Sequence, residues 1–265
     1  MQIHSLGYRT DLFFPRFEGI VLDRGEYTVI LTPSNPDFYW GNYLLFSQPP
    51  AQGDLERWQA LFEQEICSRQ NAPHRVFGWD SSTGDKGAVE PFLAAGYNLS
   101  QGIVLTAREV TLPPKYNHAV VVRPLVEEWE WNQVLRNQVD CRPPQFTADE
   151  YRPFKTAKMA RYREMQQAGL GAWFGAFLGD RLVADLGLFC IDGVARFQSV
   201  ETVPEYRRQG ICGTMVYQVA NYGFEHLGAK KLVMIADEFY HAARIYESVG
   251  FRPEERQVGL EKGHV

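Results

Sequence analysis

Between Val194 and Leu227 an extended run, a glycine-bearing turn and the best helical period in the chain follow one another without a break. "VARFQSVETV" reads as a strand. "PEYRRQGICGTM", Pro204 to Met215, holds two arginines, two glycines and a cysteine, with no acid between Arg207 and Met215. Val216, Val219, Ala220, Gly223, Phe224 and Leu227 then recur at i, i+3, i+4, i+7, i+8 and i+11, the stripe of a helix lying on a core. A strand that feeds directly into such a helix calls for a sheet covered by helices.

The neighbouring segments extend this. "TLPPKYNHA", Thr111–Ala119, punctuates the middle and sets a boundary near Lys115, giving domains 1–115 and 116–265. After it come a strand at Val120–Arg123, a helix at Glu127–Val139 broken by "CRPPQ", and a helix from Thr147 to Ala168. Thr147 and Glu150 have capping-box spacing. "AWFGAFL" and "RLVADLGLFC" form a hairpin around Gly-Asp. "KKLVMIA" is a strand, Tyr240–Val249 a brief helix stopped by Gly250, and "RQVGLEK" the last strand. The order β-α-α-β-β-β-α-β-α-β predicts an α/β (α+β) fold, a mixed sheet with helices on both faces.

The first half is thinner but similar: a hairpin at "DRGE", a strand in "YWGNYLLFS", a helix in "DLERWQALFEQEIC" and a strand in "HRVFGWD". "PFLAAGYN" matches "RIYESVGFR": each is a short helix ending in glycine before an aromatic. Two copies of one module are the expectation.

The chain has 265 residues, 45% of them hydrophobic, and a formal charge of -5, which suits a soluble globular protein and argues against nucleic-acid binding. Cys67, Cys141, Cys190 and Cys212 lack metal-ligand or CxxC spacing, and the histidines are scattered, so free thiols, a cytoplasmic location and no metal are expected. The polar N-terminus has no signal-peptide pattern, and no apolar run reaches membrane-span length.

A helix's first turn leaves N–H groups unpaired and carries partial positive charge. Gly210 and Gly213 let backbone approach a ligand closely, and Arg207 and Arg208 add charge, so the turn suits a pyrophosphate. It is neither a Walker A loop nor a dinucleotide fingerprint. An isolated Arg-Arg-x-Gly would read as a surface turn with solvated arginines; the flanking strand and helix argue for more.

"VPEYRRQGICGTM" resembles the acetyl-CoA-binding loop of the GNAT acetyltransferase superfamily, where [QR]-x-x-G-x-[GA] follows a strand and opens a helix. The pattern falls on Arg207, Arg208, Gln209, Gly210, Ile211 and Cys212, with Cys212 replacing the usual Gly or Ala and Gly213 next. "AARIYESVGF" looks like the family's C-terminal signature. Together they cover about Ala119 to Lys262. The resemblance implies a mostly antiparallel GNAT sheet and two GNAT-like halves, the first degenerate: its "SQPPAQGDLERW" has prolines, which lack the N–H a phosphate needs. It implies acetyl-CoA held by Thr202, Val203, Arg207, Arg208, Gln209, Gly210, Cys212, Gly213, Thr214 and Ala242. Many members carry an asparagine for the pantetheine arm where this chain has Phe239.

The implied reaction is direct acetyl transfer to a primary amine of a small molecule or peptide. Tyr246 takes the family's general-acid place, although periodicity alone makes it a core aromatic. Glu201 is the candidate base, with a solvent-facing strand residue equally open. Strict alternation puts Ser199, Glu201 and Val203 on one face and Gln198, Val200 and Thr202 on the other. Cys212 at a helix N-terminus beside arginines would have a lowered pKa, but no partner marks it as a nucleophile. Trp129, Trp131, Trp173, Phe146, Tyr151 and Phe154 line either an acceptor pocket or the core. A non-catalytic acyl-CoA-binding regulatory module is the alternative, and a homodimer is compatible with all of this.

Overall fold

The computed structural model describes residues 1–237 and 242–263. It divides into two compact units, Met1–Val104 with Glu254–Val265, and Leu105–Pro253. Sequence punctuation set the boundary near Lys115; by packing it lies before Leu105, and the last strand returns to the first unit.

The first unit opens with α1 (Leu6–Asp11) and α2 (Phe13–Glu18), too short for a period to announce them. The expected hairpin follows as β1 (Ile20–Asp23) and β2 (Tyr27–Leu31). Then come β3 (Tyr43–Phe46), α3 (Asp54–Phe62), which continues through a π-turn at Glu63–Cys67, β4 (Arg75–Trp79), α4 (Glu90–Ala94) and β5 (Asn98–Ala107). β2 pairs antiparallel with β1 and β3, β3 pairs parallel with β4, and β4 pairs antiparallel with β11 (Arg252–Lys262). Aromatics fill the core: Phe46 stacks on Trp58 with ring centroids 3.8 Å apart, and Phe77 and Phe92 pack around them.

The second unit holds β6 (Val121–Pro124), α5 (Glu128–Asp140), α6 (Ala148–Gln167), β7 (Gly171–Leu178), β8 (Arg181–Ile191), β9 (Val194–Thr202), α7 (Ile211–His226), β10 (Lys231–Asp237) and α8 (Ala242–Ser248). β6 to β9 pair antiparallel in order, and β9 pairs parallel with β10. The fold is thus mixed α/β with a mostly antiparallel sheet. Helices cover both faces, as alternation along β8 shows: Asp185 and Phe189 point to α5 and α6, whereas Leu188 meets Gly223 of α7. The capping box starts α6, the Glu150 N–H donating to Thr147 Oγ1 at 3.3 Å. The brief helix expected from Tyr240 is described from Ala242 onward; Phe239 lies outside the described residues.

The two halves of the chain repeat one order. β1-β2-β3-α3-β4-α4-β5 and β7-β8-β9-α7-β10-α8-β11 share two antiparallel steps followed by a parallel step across a helix. α4 and α8 end alike: Gly96 and Gly250 take φ of +86° and +110°, Tyr97 N–H donates to the Phe92 carbonyl, and Phe251 N–H to that of Tyr246.

Candidate active site

The site is built where β9 turns into α7. β9 and β10 are in register only at Val194, Ala195 and Arg196 against Lys231, Leu232 and Val233, yet β9 runs on to Thr202 and β10 to Asp237. Among the described residues no pair continues that ladder, so the two strands part toward the turn.

Gly210 caps α7 in the left-handed region, φ +82°, where a side chain is strained, and a Cβ there would lie 2.4 Å from the Lys115 carbonyl. The first-turn N–H groups of Ile211, Cys212 and Gly213 precede the first intrahelical bond, Thr214 N–H to Gly210 O at 3.0 Å. The segment before β6 braces this turn. Thr214 Oγ1, fully buried, accepts the Asn117 N–H at 2.8 Å; Asn117 Nδ2 donates to the Gln209 carbonyl at 3.0 Å; Lys115 Nζ donates to the Arg208 carbonyl. Gly213 also faces Ile245 of α8.

The arginines behave differently from each other. Arg208 is exposed, with φ of +60°. Arg207 folds back: its Nε donates to the Thr202 carbonyl at 3.0 Å and its guanidinium lies 3.5 Å from Cys141 Sγ. Val203 is tied to the sheet by its N–H to the Val183 carbonyl at 3.0 Å. Ala242 opens α8, and Tyr246 is buried on that helix, which packs on α7 and β10. Cys212 departs from expectation. Burial and the negative charge of Glu201 push its thiol up to about 12, overriding the helix terminus, so it stays protonated.

Alternation along β9 also fails, for a local reason. Gly187 pairs with Gln198 and Asp185 with Glu201, so one residue of β8, Leu186, faces two of β9, Ser199 and Val200. The extra residue lies by Ser199, whose φ is +44°. Gln198 and Glu201 therefore share one face, that of Asp185, rather than opposite ones. Gln198 Oε1 accepts from the Tyr162 hydroxyl of α6 at 3.1 Å.

On that face lies a buried polar cluster. Asp185 is fully buried and accepts from Asn137 Nδ2 and Gln138 Nε2, each at 2.6 Å, and from Trp173 Nε1 at 3.1 Å. Gln138 Nε2 also reaches the Ser199 carbonyl, and Gln138 Oε1 accepts from Lys155 Nζ at 2.7 Å. Burial pushes Asp185 up to about 7 against the pull of its donors. Burial likewise raises Glu201, opposed first by the Lys155 ammonium, then by Cys141 and Arg207. Sequence reading missed Asn137, Gln138, Lys155 and Asp185. A lone acid inside the apolar run "RLVADLGLFC" is the signal that marks Asp185. Trp173 is core with its indole on this carboxylate, Trp131 is buried, and Trp129 is exposed. Phe146, Tyr151 and Phe154 form a half-buried aromatic row at the start of α6.

Among the described residues no group of three His, Cys, Asp or Glu side chains is set to hold a metal, and no helix is long and apolar enough to cross a membrane.

Residues 131–251 match the sequence model of the acetyltransferase (GNAT) family. No curated protein sequence matches the chain. Among solved structures, a functionally unknown conserved protein from Staphylococcus epidermidis aligns with TM-score 0.69 at 15% identity, covering 94% of this chain and 96% of that one. A GCN5-related N-acetyltransferase from Kribbella flavida aligns with TM-score 0.68 at 15% identity over 98% of each chain. A tandem GNAT protein from the clavulanic acid biosynthesis pathway gives TM-score 0.55 at 13% identity, covering 90% of this chain and 78% of that one. The chain therefore has the fold of GNAT proteins, and residues 131–251 carry the family's sequence pattern.

Proposed function

We propose that the protein is an N-acetyltransferase of two GNAT-like halves, cytoplasmic, in which the second unit binds acetyl-CoA and acetylates a primary amine. The observation that carries this reading is the parting of β9 from β10 beside the Gly210-capped start of α7. Backbone groups of the parted strands suit an extended amide-bearing arm, and the first-turn N–H groups suit a pyrophosphate. Thr202, Val203 and the run from Arg208 to Thr214, with Ala242, form the binding surface; Arg208 projects into solvent there. Arg207 instead holds the end of β9.

Acetyl-CoA, when bound, supplies the acetyl group. Glu201 takes the proton of the attacking amine, and Tyr246 holds a proton at Oη for the departing thiolate. The first unit repeats the scaffold without the chemistry. Gly53 caps α3 with φ of +89°, as Gly210 caps α7, but Pro49 and Pro50 lack N–H groups and Asp54 accepts the Ala51 N–H at 2.8 Å, putting an acid where an anion would sit. Phe92 stands where the second unit has Tyr246.

Calorimetric titration with acetyl-CoA tests the reading. The wild type is expected to bind saturably and Gly210→Ala, checked for folding by circular dichroism, at least about tenfold more weakly, as loss of one charged-group hydrogen bond would produce. Absence of wild-type binding would remove both the enzyme and the acyl-CoA-sensor readings.

A further inference from the structure

Lys155 is an unusual resident of α6. Only 6% of it is exposed, its Nζ lies 5.7 Å from the ring centre of Tyr151 and 6.0 Å from that of Phe154, and it donates to Gln138 Oε1 at 2.7 Å. Gln138 cannot turn over without loss. Its Nε2 is engaged with Asp185 Oδ1 at 2.6 Å and the Ser199 carbonyl at 3.1 Å, so its Oε1 is the end that faces Lys155. Asp185 is the cross-strand partner of Glu201. The bulge at Ser199 thus brings Glu201 onto the face where a buried ammonium is held in place.

We infer that Lys155, oriented by Gln138, is a positioning residue whose ammonium keeps Glu201 a carboxylate. The inference rests on the reading of Glu201 as the base, since a base that is already protonated cannot take the amine's proton. Among the described residues, few groups face Glu201. α6 contributes Lys155 and Tyr151, the end of α5 contributes Cys141, β8 contributes Asp185, the turn contributes Arg207 and α7 contributes Cys212. The Cys141, Cys212 and Tyr151 groups are each pushed up to about 12, so they are neutral at physiological pH. The charge of Glu201 in turn raises Asp185. Of the two cations there among the described residues, Lys155 is buried and Arg207 is exposed, where solvent screens its charge. Lys155 is itself disfavoured as a cation by burial, and Glu201 and Asp185 hold its charge in place.

The test is a carbon-13 NMR titration of the full chain labelled at the glutamate carboxyl and the lysine Cε, without acetyl-CoA or acceptor. Glu201→Gln assigns the Glu201 signal. In Lys155→Met, the Glu201 midpoint is expected to rise by about 1 pH unit or more, and in Lys155→Arg to return toward the wild type. By reciprocity Glu201→Gln should lower the Lys155 midpoint, a readout that survives if Lys155→Met does not fold. An unchanged Glu201 midpoint in folded Lys155→Met, or an unchanged Lys155 midpoint in Glu201→Gln, would overturn the inference. Either result is independent of the acetyl-CoA calorimetry, whose failure would instead remove the proposed function.

Discussion

Asp185 and Glu201 face each other across β8 and β9, one register pair beyond a bulge, with the buried Lys155 ammonium bound to the same Gln138 that holds Asp185. Asp185 carries the sharper pH signature. Burial raises it from 3.8 to about 7, so between those values the native state holds a proton that the unfolded state has released. Its contribution to stability is present below the unfolded value and is lost as pH rises through about 7. Carbon-13 titration of labelled aspartate should show one carboxyl titrating near neutrality. In Asn137→Ala it should titrate higher still, because a donor to the charged form is gone.

Glu201→Gln and Tyr246→Phe should each lower the acetylation rate by about 100-fold, the lower end for a positioned acid or base. Acetyl-CoA affinity should stay within about twofold, because neither side chain belongs to the turn that carries the phosphate contacts. Single-turnover rates with a responsive amine, set beside calorimetry, separate the two effects. A variant that loses binding and rate together would point to a structural role.

Thr214→Val keeps the shape of a fully buried side chain but leaves the Asn117 N–H without its acceptor. The expected cost is about 1–3 kcal/mol in urea unfolding. Because Asn117 also braces the Gln209 carbonyl, acetyl-CoA binding should weaken as well.

Gly96→Ala and Gly250→Ala test the repeated ending of α4 and α8. Both glycines have positive φ, and each alanine should cost about 1–2 kcal/mol. Gly179→Ala, in the turn between β7 and β8 at φ +58°, provides the comparison, since it has open space around it and should cost about 1 kcal/mol. Similar losses at Gly96 and Gly250 by thermal unfolding would show that the motif does the same work twice.

Features set by neighbours in sequence were readable. The hairpin at Arg24–Gly25, the Thr147–Glu150 capping box, the stripe along α7 and the two glycine-aromatic endings all depend on residues within a turn or two of each other. The bulge was not readable, because alternation contains no mark of an inserted residue; Ser199 looks like any strand residue until Asp185 and Gly187 are set against it. The polar cluster was hidden for a related reason. Asn137, Gln138 and Lys155 sit on helices where polar residues read as solvent-facing, and only the strand across from them supplies the acid that gives them partners. The fold of Arg207 back onto Thr202 is likewise a tertiary fact, since an arginine beside an anion-binding turn has more than one place to go.

The placement of β11 bears on the order in which the chain becomes folded. Arg75–Gly78 of β4 pair with Gly259–Lys262, so the sheet of the first unit is closed by residues about two thirds of the polypeptide apart in sequence. During synthesis the residues of β1 to β4 leave the ribosome early and wait, with an edge of unpaired backbone, until the second unit has been made. The unit that is translated first is finished last, and its exposed edge in that interval is where a nascent chain of this design is most open to mispairing.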